Sequence, residues 1–224
     1  MDEEDGEKYR PCLPCVVVKD WPSSDWQIDA RFRGWIIDFA MDSTWGGIYP
    51  ESFLIERYGN DWRSKEPVLE KDGYERYVTS RQSELGDSIM TGIAISPFAI
   101  LPAKFTDLGR LRVQECERVV ALRTELTKCG AKVIETGDTL EVFPSQLHGA
   151  TIDTYNDHRM AMCFAILGLK VAGIKIKNPA CVKKTFPNFF QKLAAAPPHG
   201  LGATILDATV TPPRPLAHEE LFAD

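Results

Sequence analysis

Asn156-Asp157-His158-Arg159 leads straight into Met160-Ala-Met-Cys-Phe-Ala-Ile-Leu-Gly-Leu169, and the run stops at Lys170. Ten apolar residues in a row suit a helix buried on most of its faces and are too few to cross a bilayer. The polar string in front is what a helix start needs, because the first N–H groups have no partner within the helix. Seventy positions earlier the pattern recurs, with Asp87-Ser-Ile-Met90 opening an apolar stretch that ends near Pro97. Short alternating stretches follow, at 103–111 in the first copy and 174–178 in the second. Each copy then meets a charged junction, Arg112-Val-Gln-Glu-Cys-Glu-Arg118 or Cys181-Val-Lys-Lys-Thr-Phe-Pro187, offset by 69 and followed by a second helix. Phe53-Leu-Ile-Glu-Arg-Tyr-Gly59 resembles 122–130 at an offset of 71 and traces a fainter, earlier copy. Three units of about 70 residues then fill the chain.

Each unit reads helix, strand, helix and hairpin, so the expected fold class is α/β, with helices inside and sheets on the outer faces. The helix expected over 115–129 places Val119, Leu122, Leu126 and Cys129 on one face, with Gly130 as its C-terminal cap. Segments 132–135 and 139–143 flank Thr136-Gly137-Asp138 as a hairpin. Pro187 suits the first turn of the last helix, with Thr185 as its cap. The expected organisation is an N-terminal arm at 1–20, a lobe of three units at 21–196, and a tail or strap at 197–224 that opens with Pro197-Pro-His-Gly200.

Composition bounds the function. The chain has 224 residues, 44% hydrophobic and 26% charged, enough for one good core and too apolar for wholesale disorder. A net charge of -6 argues against a general nucleic-acid binder, yet 104–195 carries 14 basic and 9 acidic residues. A locally basic segment in an acidic protein suggests a small anionic ligand. No membrane span is expected, and the acidic start, Asp2 to Glu7, lacks the basic residues and apolar stretch of a secretory signal, which points to the cytoplasm. Among six cysteines, Cys12 and Cys15 have the spacing of half a zinc site without a second pair, so reduced thiols and no metal are expected.

Three helix starts carry charge. At Asn156-Asp157-His158-Arg159 the free N–H groups favour an anion, and Arg159 adds a bidentate donor. The alternative is that Asn156 or Asp157 simply caps the helix while His158 and Arg159 face water. The junction with Arg110, Arg112, Gln114, Glu115, Glu117 and Arg118 forms a second start, where Glu115 and Arg118 could equally be an ordinary surface ion pair. Lys183-Lys184-Thr185 forms a third.

Four strings together resemble the 5-enolpyruvylshikimate-3-phosphate synthase family: Leu85-Gly-Asp-Ser-Ile-Met-Thr91, Arg112-Val-Gln-Glu-Cys-Glu-Arg118, Thr154-Tyr-Asn-Asp-His-Arg-Met-Ala-Met-Cys-Phe164 and Lys184-Thr-Phe-Pro187. The resemblance runs from about 85 to 195 and is weak before that, where 21–81 lacks a Ser-rich helix start and Trp26 to Trp35 offers a diverged substitute. It implies repeated helix-strand units forming one lobe, the C-terminal one, of the inside-out α/β barrel of enolpyruvyl transferases, with most of the other lobe absent. It implies transfer of the enolpyruvyl group of phosphoenolpyruvate to the 5-hydroxyl of shikimate 3-phosphate with release of phosphate, by a partial or split enzyme. By the same resemblance Asp87, Glu115 and His158 are the catalytic candidates, Asp87 at the shikimate hydroxyl and Glu115 as acid or base at the pyruvyl carbon. Arg118, Arg159 and Lys184 match cations that bind phosphoenolpyruvate, and Arg110 and Gln114 match substrate contacts. Two positions depart from the family: Gln114 stands where Lys is common, and Arg110 where Asn is frequent. Neither a metal nor an organic cofactor is implied. The implied partners are the two substrates and a complementary N-terminal lobe, with no nucleic acid and no membrane. Competing expectations are a degenerate, non-catalytic anion-binding lobe and, since RNA 3'-terminal phosphate cyclases use related units, recognition of an RNA phosphate end.

Overall fold

A computed structural model describes residues 78–99 and 102–223. The arm at 1–20, the faint first copy with Phe53 to Gly59, the Trp26 to Trp35 stretch and the Cys12/Cys15 pair lie outside the described residues.

The described chain begins with β1 (Val78–Ser80), a wide helical turn (Arg81–Leu85), a short 3-10 turn (Gly86–Ser88) and α1 (Ile89–Ile95). It continues through β2 (Ala103–Thr106), a 3-10 turn (Leu108–Val113), α2 (Arg118–Lys128) and the hairpin of β3 (Val133–Thr136) and β4 (Thr139–Val142). The next unit has β5 (Thr151–Ile152), α3 (His158–Gly168), β6 (Lys175–Ile176), a 3-10 turn (Pro179–Lys184) and α4 (Phe189–Ala194). A second hairpin, β7 (Leu206–Asp207) and β8 (Arg214–Pro215), and a final 3-10 turn (Glu219–Leu221) complete it.

The two units repeat in backbone detail. β1 pairs with β2 in parallel, and β5 pairs with β6 in parallel. Asp107 and Asn178, 71 positions apart, both take left-handed backbone (φ 59 and 46) and both turn a strand into a 3-10 segment. Asp and Asn are the non-glycine residues that tolerate this region best. The four-stranded sheet has the order β1-β2-β4-β3, with β4 antiparallel to both neighbours.

Alternation in β2 and β4 buries Ala103, Phe105, Leu140 and Val142 on one face, and that face joins the core built on α1, α2 and α3. Six of the seven residues of α1 are buried, which explains its uninterrupted apolar sequence. A second cluster joins Ala161 of α3 to Val182, Phe189, Phe190 and Leu193. Leu221 and Ala223, from the 197–223 segment, are buried in the same cluster, so this segment is folded onto the lobe as a strap. No described helix is long and apolar enough to cross a membrane.

Three local expectations are corrected. The helix expected from 115 begins at Arg118, because the Glu117 carboxylate caps it by accepting from the Val120 N–H at 2.5 Å. Alternation over 103–111 is strand only to Thr106, where Asp107 turns the chain into a 3-10 segment, and the 174–178 stretch is strand only at Lys175–Ile176. The last helix starts at Phe189, after Pro187, with no cap bond from Thr185; instead the Phe189 N–H donates to the Phe186 carbonyl at 3.0 Å.

Candidate active site

Gly86 takes a positive φ of 56 and donates its N–H to the Arg81 carbonyl, closing the turn that presents Asp87 ahead of α1. A side chain there would be strained, since this φ with ψ -140 is glycine territory. Asp87 Oδ1 accepts from Arg81 Nη2 at 2.6 Å and Nε at 3.2 Å, and Oδ2 accepts from Gln114 Nε2 at 3.0 Å and Arg118 Nη1 at 3.4 Å. Arg159 Nε stands 3.8 Å from the same Oδ2. Burial alone would push the Asp87 carboxyl up, but the Arg81 and Gln114 hydrogen bonds and the Arg159 charge outweigh it and hold the pKa below the ordinary value.

Glu115 lies in the extended bend between the 3-10 turn and α2. Arg112 fixes this bend from behind, donating to Glu117 at 2.7 Å, Glu135 at 2.7 Å and Asp138 at 2.9 Å, so the hairpin and the helix cap share one guanidinium. Glu115 Oε1 accepts from Lys184 Nζ at 2.7 Å and Oε2 from Arg118 Nη2 at 2.6 Å. The Lys184 hydrogen bond leads in holding the Glu115 pKa down at about 2, against the opposing effect of burial.

Arg118 is the hub. Its side chain is only 1% exposed, and it donates to Asp157 through Nε at 2.6 Å and Nη2 at 3.2 Å, and to Gln114 Oε1 through Nη1 at 2.5 Å. Asp157, fully buried, caps α3 through the Arg159 N–H at 2.8 Å and accepts the Cys116 Sγ–H at 3.5 Å. Burial, then the Asp157 charge, pushes the Cys116 thiol up to about 12, so it stays a neutral donor. Tyr155 and Asn156, both at positive φ (52 and 56), turn the chain so that Asp157 points inward. His158, next in line, is buried with Nδ1 unpaired among the described residues, 3.9 Å from Asp157 Oδ1. Burial lowers its pKa.

Asp87, Gln114, Glu115, Arg118, His158, Arg159 and Lys184 are thus joined through one continuous cluster, although they span 98 positions of sequence. Arg110 stands outside it, exposed in a shallow depression that it shares with Arg81, Gln82 and Asp138. Asp157 does cap its helix, but His158 is buried instead of facing water, and Glu115 and Arg118 do pair, but with Arg118 buried the pair is not a surface one; both are parts of the cluster. Two members escaped sequence reasoning. Asp157 looks only like a cap, and its second partner Arg118 is 39 positions away. Arg81 carries no motif; its one signal is that the Gly86 turn folds it back on Asp87.

The family model for EPSP synthase (3-phosphoshikimate 1-carboxyvinyltransferase) matches residues 43–193, more than half of the chain. The chain belongs to the EPSP synthase family. A 3-phosphoshikimate 1-carboxyvinyltransferase of Nostoc punctiforme is 44% identical over 141 residues, covering 62% of this chain and 33% of that protein. One from Tolumonas auensis is 38% identical over 170 residues, 75% of this chain and 36% of that protein. An EPSP synthase structure from Acinetobacter baumannii aligns with a TM-score of 0.45 at 26% identity, over 48% of this chain and 26% of that one. The chain therefore spans about one third of the length of the curated relatives it matches. All the clustered residues except Arg81 are within the family strings quoted above, and Arg81 itself is inside the matched 43–193 span of the EPSP synthase model.

Proposed function

We propose that this chain contributes the C-terminal lobe of an enolpyruvyl transferase active site, moving the enolpyruvyl group of phosphoenolpyruvate to the 5-hydroxyl of shikimate 3-phosphate, with release of phosphate, in the cytoplasm. The observation that carries the proposal is the convergence of two ionisable carboxylates, Asp87 and Glu115, with cations from separate places in the chain: Arg118 and Arg159 at the starts of α2 and α3, and Lys184 at the end of the 3-10 turn before α4. Four cations (Arg81, Arg118, Arg159, Lys184) meet three carboxylates (Asp87, Glu115, Asp157), so the cluster keeps one positive charge for an anion. Arg159 and Lys184, 32% and 59% exposed, are within reach of phosphoenolpyruvate, whereas buried Arg118 holds the carboxylates from behind.

The chemistry follows from what each group can do. Asp87, ionised, accepts the hydrogen of the attacking hydroxyl. As that oxygen bonds to C2 of phosphoenolpyruvate, C3 gains a proton; loss of a proton from C3 then expels phosphate and restores the double bond. To Glu115 we assign the C3 proton, and in the free chain Lys184 and Arg118 keep it ionised. Phosphoenolpyruvate, by drawing Lys184 toward its own charge, removes the stronger of those influences and raises the proton affinity of Glu115. His158, its pKa lowered by burial, stands beside the cluster as the third catalytic candidate.

The chain spans a third of its relatives, and closure of a cleft against water needs a facing surface. We therefore expect the purified chain to bind phosphoenolpyruvate weakly and to release little phosphate unless a complementary N-terminal lobe is supplied. Calorimetric titration with phosphoenolpyruvate and a phosphate-release assay with both substrates test the two parts separately. Arg159→Met or Lys184→Met should abolish binding, while Gln114→Lys should leave or strengthen it. Robust phosphate release by the chain alone overturns the partial-enzyme proposal, and no binding at low salt favours a degenerate lobe.

A further inference from the structure

Asp87 is held very differently on its two oxygens. Oδ1 takes two hydrogen bonds from one guanidinium, Arg81 Nη2 at 2.6 Å and Nε at 3.2 Å, whereas Oδ2 faces neutral Gln114 at 3.0 Å and two more distant cations. Of those cations, Arg118, at 3.4 Å, also serves Asp157 and Glu115, and Arg159 stands off at 3.8 Å. Arg81 is therefore the closest charged contact of Asp87 among the described residues. Its backbone takes part as well, since the Arg81 carbonyl accepts the Gly86 N–H that closes the turn. One residue thus fixes both the loop and the carboxylate it displays. The Arg81 side chain is 14% exposed and borders the depression with Gln82 and Arg110, and it meets Oδ1 of Asp87 while Gln114 meets Oδ2.

We propose that Arg81 is the positioning residue for Asp87: it clamps Oδ1, sets the plane of the carboxylate, and leaves Oδ2 as the oxygen that receives a substrate hydroxyl. Arg81 also supplies, on the Oδ1 side, the charge that neutral Gln114 does not bring on the Oδ2 side. The orientation of Asp87 is a property of the free chain, whereas its use toward the hydroxyl rests on the transferase proposal above.

The test follows the Asp87 carboxyl by carbon-detected NMR titration in the full 224-residue chain and in Arg81→Met, Arg81→Lys and Arg81→Met/Gln114→Lys. The groups facing Asp87 are Arg81 from its own loop, Gln114 from the bend, Arg118 from α2 and Arg159 from α3, so only Arg81 and Gln114 are altered. Arg81→Met should raise the Asp87 pKa, Arg81→Lys should raise it less, and the double variant should return it toward the starting value. In parallel, Arg81→Met should weaken calorimetric binding of shikimate 3-phosphate by about tenfold, and binding of phosphoenolpyruvate, which meets Arg159 and Lys184 directly, by much less. A merely structural Arg81 would change the unfolding midpoint and leave the Asp87 titration in place, and that outcome overturns the proposal. If Arg81→Met fails to fold, Arg81→Lys alone decides by whether Asp87 moves. If the full chain binds neither substrate, the transferase proposal fails, while the titration still settles whether Arg81 governs Asp87.

Discussion

His158 is buried with Nδ1 unpaired among the described residues, and its lowered pKa makes a definite claim about acid. The folded chain resists a proton that the unfolded chain accepts near the ordinary value of 6.5, so His158 favours the fold above that pH. Stability should fall as the pH drops below 6.5 and level off once the lowered folded pKa is passed. Urea midpoints at pH 7.5 and 5.5 should therefore differ less in His158→Asn than in the parent chain. Glu115 has the opposite protonation chemistry and the same direction: its contribution is complete above the ordinary carboxyl value of 4.5 and disappears toward about 2. Because Lys184 is 59% exposed, solvent screening keeps that pair below about 1 kcal/mol. Glu115→Gln should free Lys184, tighten phosphoenolpyruvate binding several-fold as judged by calorimetry, and still prevent turnover when a complementary lobe is present. Most of these side chains were legible in sequence because their motifs put charge at helix starts. Arg81 was not, since a pair closed by one glycine turn leaves no periodic trace.

At the scale of elements, the start of α2 joins fold to site. Glu117 caps it and also accepts from Arg112, whose other bonds reach the β3-β4 hairpin. Glu117→Ala should destabilise the chain by about 1 kcal/mol, measured by urea unfolding. It should also loosen the bend bearing Gln114 and Glu115, seen as faster amide exchange there. Sequence reasoning placed this helix three residues early because Glu is not a favoured cap and its role here depends on Arg112 fixing the bend. Gly130 and the hairpin turn were legible for the opposite reason: their conformations, φ 94 and 55 at Gly130 and Gly137, are local requirements that glycine meets most readily. Alternation misled at 107–111, since a 3-10 turn following a left-handed Asp107 also buries residues in a spaced pattern, Leu108 and Leu111.

At the scale of the whole molecule, the repeat was legible as an offset of about 70, because each unit must bury an apolar helix at the same place. The strap was less so, since 197–223 has no periodicity and its anchors are single residues. Leu221→Ala should lower stability by about 2 kcal/mol in urea unfolding, by removing contacts to the cluster of Val182, Phe189 and Leu193. Its last described backbone bond, from the Ala223 N–H to the Pro187 carbonyl at 3.0 Å, brings the end of the strap to the short loop three residues beyond Lys184. Whatever is joined beyond this point, natural or appended, emerges in the electrostatic neighbourhood of that lysine. An acidic tag fused there would act as a tethered competitor for phosphoenolpyruvate, and a polylysine tag would enlarge the local positive field, so two laboratories using different tags would measure different affinities for the same protein.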